Sequence, residues 1–194
     1  GARWEADVAA GWERVDGLEV RAVPATGTYR PNPPLGAGDV VLGEVSVRRA
    51  GSGLAVRRDA AVRVALEAGR AQGRDPYARL AVSGQVVVAA GTTRWLARAA
   101  GGIAGPDLPA HRSFAIGGRA TVLGDEFREF GGTRAATVHV EWRLPMPVPA
   151  LSFGPVARSP GGITLAPFVA AGWAGGAVAG VPWQPVTGTR VTVG

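Results

Sequence analysis

Apolar and polar side chains alternate along most of this chain, and the alternation starts almost at its first residue. Trp4, Ala6, Val8, Ala10 and Trp12 fall on one face of an extended segment, with Arg3, Glu5, Asp7 and Glu13 on the other. Successive strand side chains point to opposite sides, so a period of two yields one apolar and one charged surface. A soluble sandwich also alternates. What differs here is the width of the apolar face and the tryptophan at each of its ends. Aromatic residues concentrate at both edges of the lipid-facing band of outer-membrane barrels, about 25 Å apart.

The pattern recurs. After a turn at Val15, Asp16 and Gly17, Leu18, Val20 and Ala22 alternate with Glu19 and Arg21, and a Pro/Gly-rich loop covers 24–39. Val41, Val45 and Val47 then oppose Glu44, Ser46 and Arg48. A connection at 51–58 precedes Val62, Val64 and Leu66, which oppose Arg63 and Glu67. Ala78, Leu80, Val82, Val86 and Val88 oppose Arg79, Ser83 and Gln85, and Trp95, Ala97 and Ala99 oppose Arg94 and Arg98. Beyond a very long connection at 102–132, Val138, Val140, Trp142 and Leu144 oppose Thr137, His139, Glu141 and Arg143. A further strand is expected from Ile163 to Trp173, and another from Thr189.

Segment 59–69 also carries helical features: Asp59 as a cap, Arg63 and Glu67 spaced i,i+4, and Gly69 as a stop. Its valines and its neighbours favour a strand. About nine strands result, all read as one domain spanning 1–194. The connections 24–39 and 102–132 are long and 51–58 is short, as in outer-membrane barrels, whose outer loops are long and periplasmic turns short. The connection 145–160 breaks that rule. Barrels of this kind usually close with an even strand number. The odd count, the absence of an initiator methionine and the ending on Arg190–Gly194 lead to the expectation of a fragment cut at both ends.

Composition narrows the function. Cysteine is absent, which removes disulfides and thiolate chemistry. The net charge is +6 and all 21 basic residues are arginine. These arginines recur at alternate positions rather than in runs, which fits a polar interior and not a nucleic-acid interface. Residues Ser159–Thr189 carry no charge, but Pro167 and the surrounding glycines fit strands and turns better than a membrane helix. Asp125, Glu126 and Glu129 form an acidic cluster read as solvated. His111 and His139 supply no zinc motif, which needs about three or four ligands, and Ser113 lies near His111 only in sequence. Gly36-Ala37-Gly38 lacks the strand and helix of a phosphate cradle. No catalytic residue, cofactor or metal is expected.

The stretch Gly117–Pro147 carries a Gly-Gly pair, a V-x-G turn, a second Gly-Gly pair and a strand ending at Pro145. It resembles the barrel domain of the BamA/TamA-like outer-membrane assembly proteins, the bacterial surface antigen family. There a long loop with Gly-Gly and V-R-G-F folds back into the barrel, and the next strand ends in Glu-aromatic-x-x-Pro. The matches are Gly117, Gly118, Val122, Gly124, Gly131, Gly132, and Glu141-Trp142 with Pro145. Leu123 replaces the loop arginine and Asp125 the aromatic. The resemblance also implies an inner-wall Phe-x-Asp-x-Gly, which here reads Phe168, Ala170 and Gly172, so the aspartate is lost together with the arginine. Losing both partners of a buried ion pair can be nearly neutral, whereas losing one strands a charge. Glu141 on the lumen wall, with Arg143, Phe168, Ala170 and Gly172, then needs a new partner, and Arg119, Arg134 or Arg143 is the candidate.

The expectation is therefore an all-β, antiparallel transmembrane barrel, or a large part of one, in the bacterial outer membrane, with a loop folded into its lumen. Trp4, Trp12, Trp95 and Trp142 would mark the membrane edges. The lipid bilayer is the expected partner. The resemblance implies insertion or translocation of client outer-membrane proteins, with accessory lipoproteins as further partners. A passive pore, an anchor for a fused domain, or a soluble all-β binding protein are the alternatives.

Overall fold

The structure is a computed structural model that describes residues 2–16, 37–52, 56–71, 75–117, 121–122, 130–150, 152–154, 157–158, 161–178 and 188–194. Five long strands come first: β1 (Ala2–Val15), β2 (Gly38–Ser52), β3 (Val56–Ala71), β4 (Pro76–Ala90) and β5 (Thr93–Ala104). A 3₁₀ turn at Ala110–Arg112 and two short strands, β6 (Phe114–Ile116) and β7 (Phe130–Gly132), follow. The long β8 (Arg134–Pro147) precedes a small hairpin of β9 (Ser152–Phe153) and β10 (Ala157–Arg158). Last come β11 (Gly162–Leu165), β12 (Phe168–Gly175) and β13 (Gly188–Val193).

The main sheet has nine strands and runs β1-β2-β3-β4-β5-β8-β12-β13, with β11 also on β8. Every pairing is antiparallel. The fold is thus all-β and up-and-down, as the alternation predicts, and segment 59–69 is strand throughout. Closure is a different matter. Among the described residues no pairing joins β1 to β13, so the sheet stands open where a closed barrel was expected.

The strand list also needs correction. The expected strand at Leu18–Ala22 lies outside the described residues. The expected strand from Ile163 to Trp173 is instead β11 and β12, divided at Ala166 and Pro167. Proline has no N–H to give to a ladder, which accounts for the break. The connection placed at 51–58 shrinks to 53–55, because β2 runs to Ser52 and β3 starts at Val56.

Register sorts the two faces cleanly. Trp4, Val8 and Trp12 on β1 stand opposite Arg49, Val45 and Val41 on β2, and the same parity continues across the sheet. All the exposed large apolar side chains of the described residues fall on this one face, from Trp4 and Val8 to Val191 and Val193. Its charges sit only towards strand ends: Arg14, Asp39, Arg70 and Arg134 at one edge, Arg49 and Arg58 at the other. Monomeric soluble proteins rarely expose an apolar patch above roughly 300–600 Å². This face has no charge at mid-strand anywhere among the described residues.

The opposite face carries Glu5, Asp7, Glu44, Arg63, Arg98 and His139, among others. It is concave, because one cavity touches both β1 and β8. The chain crosses between β5 and β8 at 105–133, and its described part lies over this polar face.

Candidate functional site

The polar face becomes a site where the 105–133 connection docks on it, at two places. The first is ionic. The 3₁₀ turn at Ala110–Arg112 brings Arg112 over the sheet, where its Nη2 donates to Glu13 Oε2 on β1 at 2.8 Å. Its Nε stands 3.7 Å from Glu67 Oε1 on β3. Glu67 is only 6% exposed. It also accepts a hydrogen bond from the Tyr77 hydroxyl at 2.7 Å and one from Arg79 Nη1 at 3.5 Å. Arg79 in turn lies over the Phe114 ring of β6, 4.4 Å from its centroid. Three groups from β4 and the connection therefore converge on one buried carboxylate.

Burial works against the charge on Arg112, but its hydrogen bond to Glu13 and the nearby Glu67 carboxylate outweigh that and hold its pKa above the ordinary arginine value. His111 is held below the usual histidine value, first by burial and then by the Arg112 guanidinium beside it, against the pull of Glu67 and Glu13. Its Nδ1 is buried with no hydrogen-bond partner among the described residues.

The second docking place is apolar. Ile116, Val122 and Phe130 of the connection form a buried cluster with Ala174 of β12, and Ala135 of β8 packs against it. Ile116 is 1% exposed and Val122 fully buried. Gly172 makes this approach possible, since a Cβ there would sit 2.9 Å from a methyl of each. At Gly132 a Cβ would stand 2.2 Å from the Gly175 carbonyl oxygen, so β7 lies directly against the end of β12. Gly117 has a φ of 119° and donates its N–H to Thr121 Oγ1 at 2.8 Å.

The residues singled out in the sequence divide accordingly. Gly117, Val122, Gly131 and Gly132 of the loop motif all lie in or beside the apolar docking place, on Gly172 of the wall. Gly118, Leu123 and Gly124 lie outside the described residues, as do Arg119 and the acidic cluster Asp125, Glu126 and Glu129. Ala170 is 1% exposed on the polar face of β12, beside the stacked rings of Phe168 and His139, whose centroids are 5.4 Å apart.

Glu141 finds its partner on its own strand. Arg143 Nε donates to Glu141 Oε1, and His139 Nε2 stands 3.4 Å from Glu141 Oε2. Residues two apart on a strand share a face. Arg134 is excluded by the same parity, since it pairs with Ile103 on the apolar face. Ser113 donates its hydroxyl to the Ala110 carbonyl at 2.7 Å, and no cluster of three or more metal-ligating side chains occurs among the described residues.

The four tryptophans lie on the apolar face. Trp4, Trp95 and Trp142 sit towards one edge and Trp12 towards the other. Trp95 and Trp142 are cross-strand partners with stacked rings, 5.2 Å between centroids. Guanidinium groups lie over the other two, Arg49 over Trp4 at 5.4 Å and Arg14 over Trp12 at 5.3 Å. Eight residues of strand separate Trp4 from Trp12, about 26 Å at roughly 3.3 Å per residue.

Sequence reasoning missed the ionic docking place altogether. Glu67 entered only through its i,i+4 spacing from Arg63 and its place on the polar face of a strand, and Arg112 carried no motif. The only signal was Arg112 standing inside a connection expected to fold inward. No family model and no curated protein matches this sequence.

Proposed function

We propose that this chain forms the wall of an outer-membrane β-barrel of the kind found in the BamA/TamA-like assembly proteins, with the 105–133 connection lodged in its interior. One observation carries the reading: among the described residues the sheet turns all its exposed large apolar side chains to one face and keeps mid-strand charge off that face. In a membrane that face meets lipid, and the polar face becomes the lumen. Strand length agrees. β1, β2, β3, β4 and β8 each run 14 to 16 residues, against about 9–11 needed to cross. Tryptophans stand at both edges of the apolar face, about 26 Å apart along β1, which at a strand tilt of about 40° spans about 20 Å of the roughly 25 Å band between aromatic girdles.

In this reading the lipid bilayer is the first partner, and the outer edges of β1 and β13 must pair within it, since an unpaired backbone group in hydrocarbon costs several kcal/mol. Client outer-membrane proteins or accessory lipoproteins are the further partners that the assembly role supplies. A second reading, a passive anchor barrel, is favoured by the ionic docking of Arg112, which ties the connection across the interior to Glu13 and Glu67.

Expression in a bacterium tests the common part. The protein should be recovered with detergent-extracted outer membranes and migrate differently before and after boiling. Recovery in the soluble fraction would refute both readings. Accelerated folding of a client barrel in proteoliposomes then supports the assembly role, and its absence supports the anchor.

A further inference from the structure

Beside the docked connection, the polar face holds a cavity of about 520 Å³, within the roughly 300–1,000 Å³ typical of small-molecule sites. Its floor is built from two adjacent cross-strand rows. One row runs Glu5, Arg48, Ala61, Gln85, Arg98 and His139, one residue from each of β1, β2, β3, β4, β5 and β8. The second brings Asp7, Ser46, Arg63, Ser83, Ala100 and Thr137 alongside. Thr121 of the connection lines the same space.

The charges in this cavity are unevenly matched. Arg63 is paired with Glu44 at 2.9 Å. Asp7 accepts from the Ser46 hydroxyl at 3.4 Å, and His139 stands beside Glu141. Arg48 and Arg98 line the cavity with no acceptor within hydrogen-bond reach among the described residues, and Glu5, which lines the same space, is the cross-strand neighbour of Arg48. Three strand spacings separate them, about 14 Å along the sheet at ~4.8 Å each, and only the small Ala61 and the neutral Gln85 intervene in their row. Concavity turns both side chains towards one space.

We propose that this cavity binds a small solute bearing oxyanion groups, carboxylate or phosphate, held between Arg48 and Arg98. A guanidinium offers a planar fork of donors that matches either oxyanion with two parallel hydrogen bonds. Gln85, Ser83 and Thr137 add neutral polar contacts. Glu5 and Asp7 make the β1 wall acidic, which disfavours a long polyanion. The cavity consists of this chain's own strands and connection, so the proposal stands apart from the membrane reading.

Calorimetric titration of the full chain, folded in detergent at low ionic strength, tests it with inorganic phosphate and, separately, succinate. Saturable binding of at least one probe is expected, and the tighter one decides between phosphate and carboxylate. Arg48→Gln and Arg98→Gln should each weaken it by about tenfold or more, as the loss of a charge-assisted hydrogen bond implies. Arg94→Gln, on the same face of β5 but outside the cavity, should leave affinity nearly unchanged. Where a glutamine variant fails to keep its strand content by circular dichroism, Arg48→Lys or Arg98→Lys replaces it; it retains the charge without the fork and should still weaken binding. Absence of saturation with both probes overturns the proposal. So does equal weakening by Arg94→Gln and Arg98→Gln, or unchanged affinity in the lysine variants.

Discussion

The 105–133 connection meets the sheet at two places held by opposite physics. At Arg112 it is tied by charge to Glu13 and to the buried Glu67. At Ile116, Val122 and Phe130 it is tied by shape, methyl groups filling the space that Gly172 leaves open. A shape-held contact is untouched by charge screening and by protonation, and it fails when volume or polarity changes. A charge-held contact is sensitive to both and depends on all its partners together. One connection thus has a permanent anchor and a conditional one, and substitutions can separate them.

The largest effect is expected at the apolar anchor. Val122→Asp places an uncompensated charge at a fully buried position, at a cost of about 3–5 kcal/mol. The denaturant midpoint should fall accordingly, and protease should cut the connection in the otherwise folded chain. An unchanged midpoint would mean that this cluster does not hold the connection down.

Glu67→Ala comes next. It leaves the Tyr77 hydroxyl, Arg79 and Arg112 without their common acceptor. Both arginines are partly exposed, so water compensates in part and the loss should be about 2–3 kcal/mol. Glu67→Gln keeps an acceptor for Tyr77 and should lose less. Equal losses in the two variants would show that packing rather than charge sets the role of this side chain.

These two anchors were unequally legible in the sequence, for a physical reason. Period-two alternation is local, so the strands and their apolar face could be read directly from side-chain order. Glycine pairs at 117–118 and 131–132 marked close backbone approach, and Gly172 was singled out on the wall by the resemblance. The ionic anchor needs register. Arg112 and Glu13 are 99 residues apart, and nothing in the alternation says which strands bring them together. Glu67 was masked further by Arg63 four residues before it, a spacing that imitates a helical pair, although Arg63 in fact pairs with Glu44 across the β2–β3 ladder. Glu141 shows the same limit in miniature. Parity alone excludes Arg134 and admits Arg143, but only once the strand is certain.

His111 offers a way to sharpen the comparison through pH. Its folded pKa lies below the unfolded value of about 6.5, because burial and Arg112 disfavour its charged form. The unfolded chain therefore binds the proton first as pH falls. Stability is greatest above about pH 6.5 and declines through that value towards the folded pKa. His111→Asn should flatten the decline in a series of melting temperatures between about pH 7.5 and 5.0. An equally steep decline in the variant would place the titrating group elsewhere.

Glu13→Gln should have the smallest effect and the sharpest diagnostic value. The Glu13 side chain is 44% exposed, and exposed ion pairs contribute only about 0.2–1 kcal/mol. Arg112 keeps Glu67 in this variant, so the connection should stay docked. What should disappear is part of the salt dependence: raising ionic strength screens an exposed pair far more than a buried one. The wild-type midpoint should fall with added salt by more than that of Glu13→Gln, while Val122→Ala, which adds no charge and leaves the ionic anchor's residues untouched, should retain the wild-type salt slope. If all three slopes coincide, the Arg112–Glu13 contact contributes nothing measurable, and the connection is held at this end by Glu67 alone.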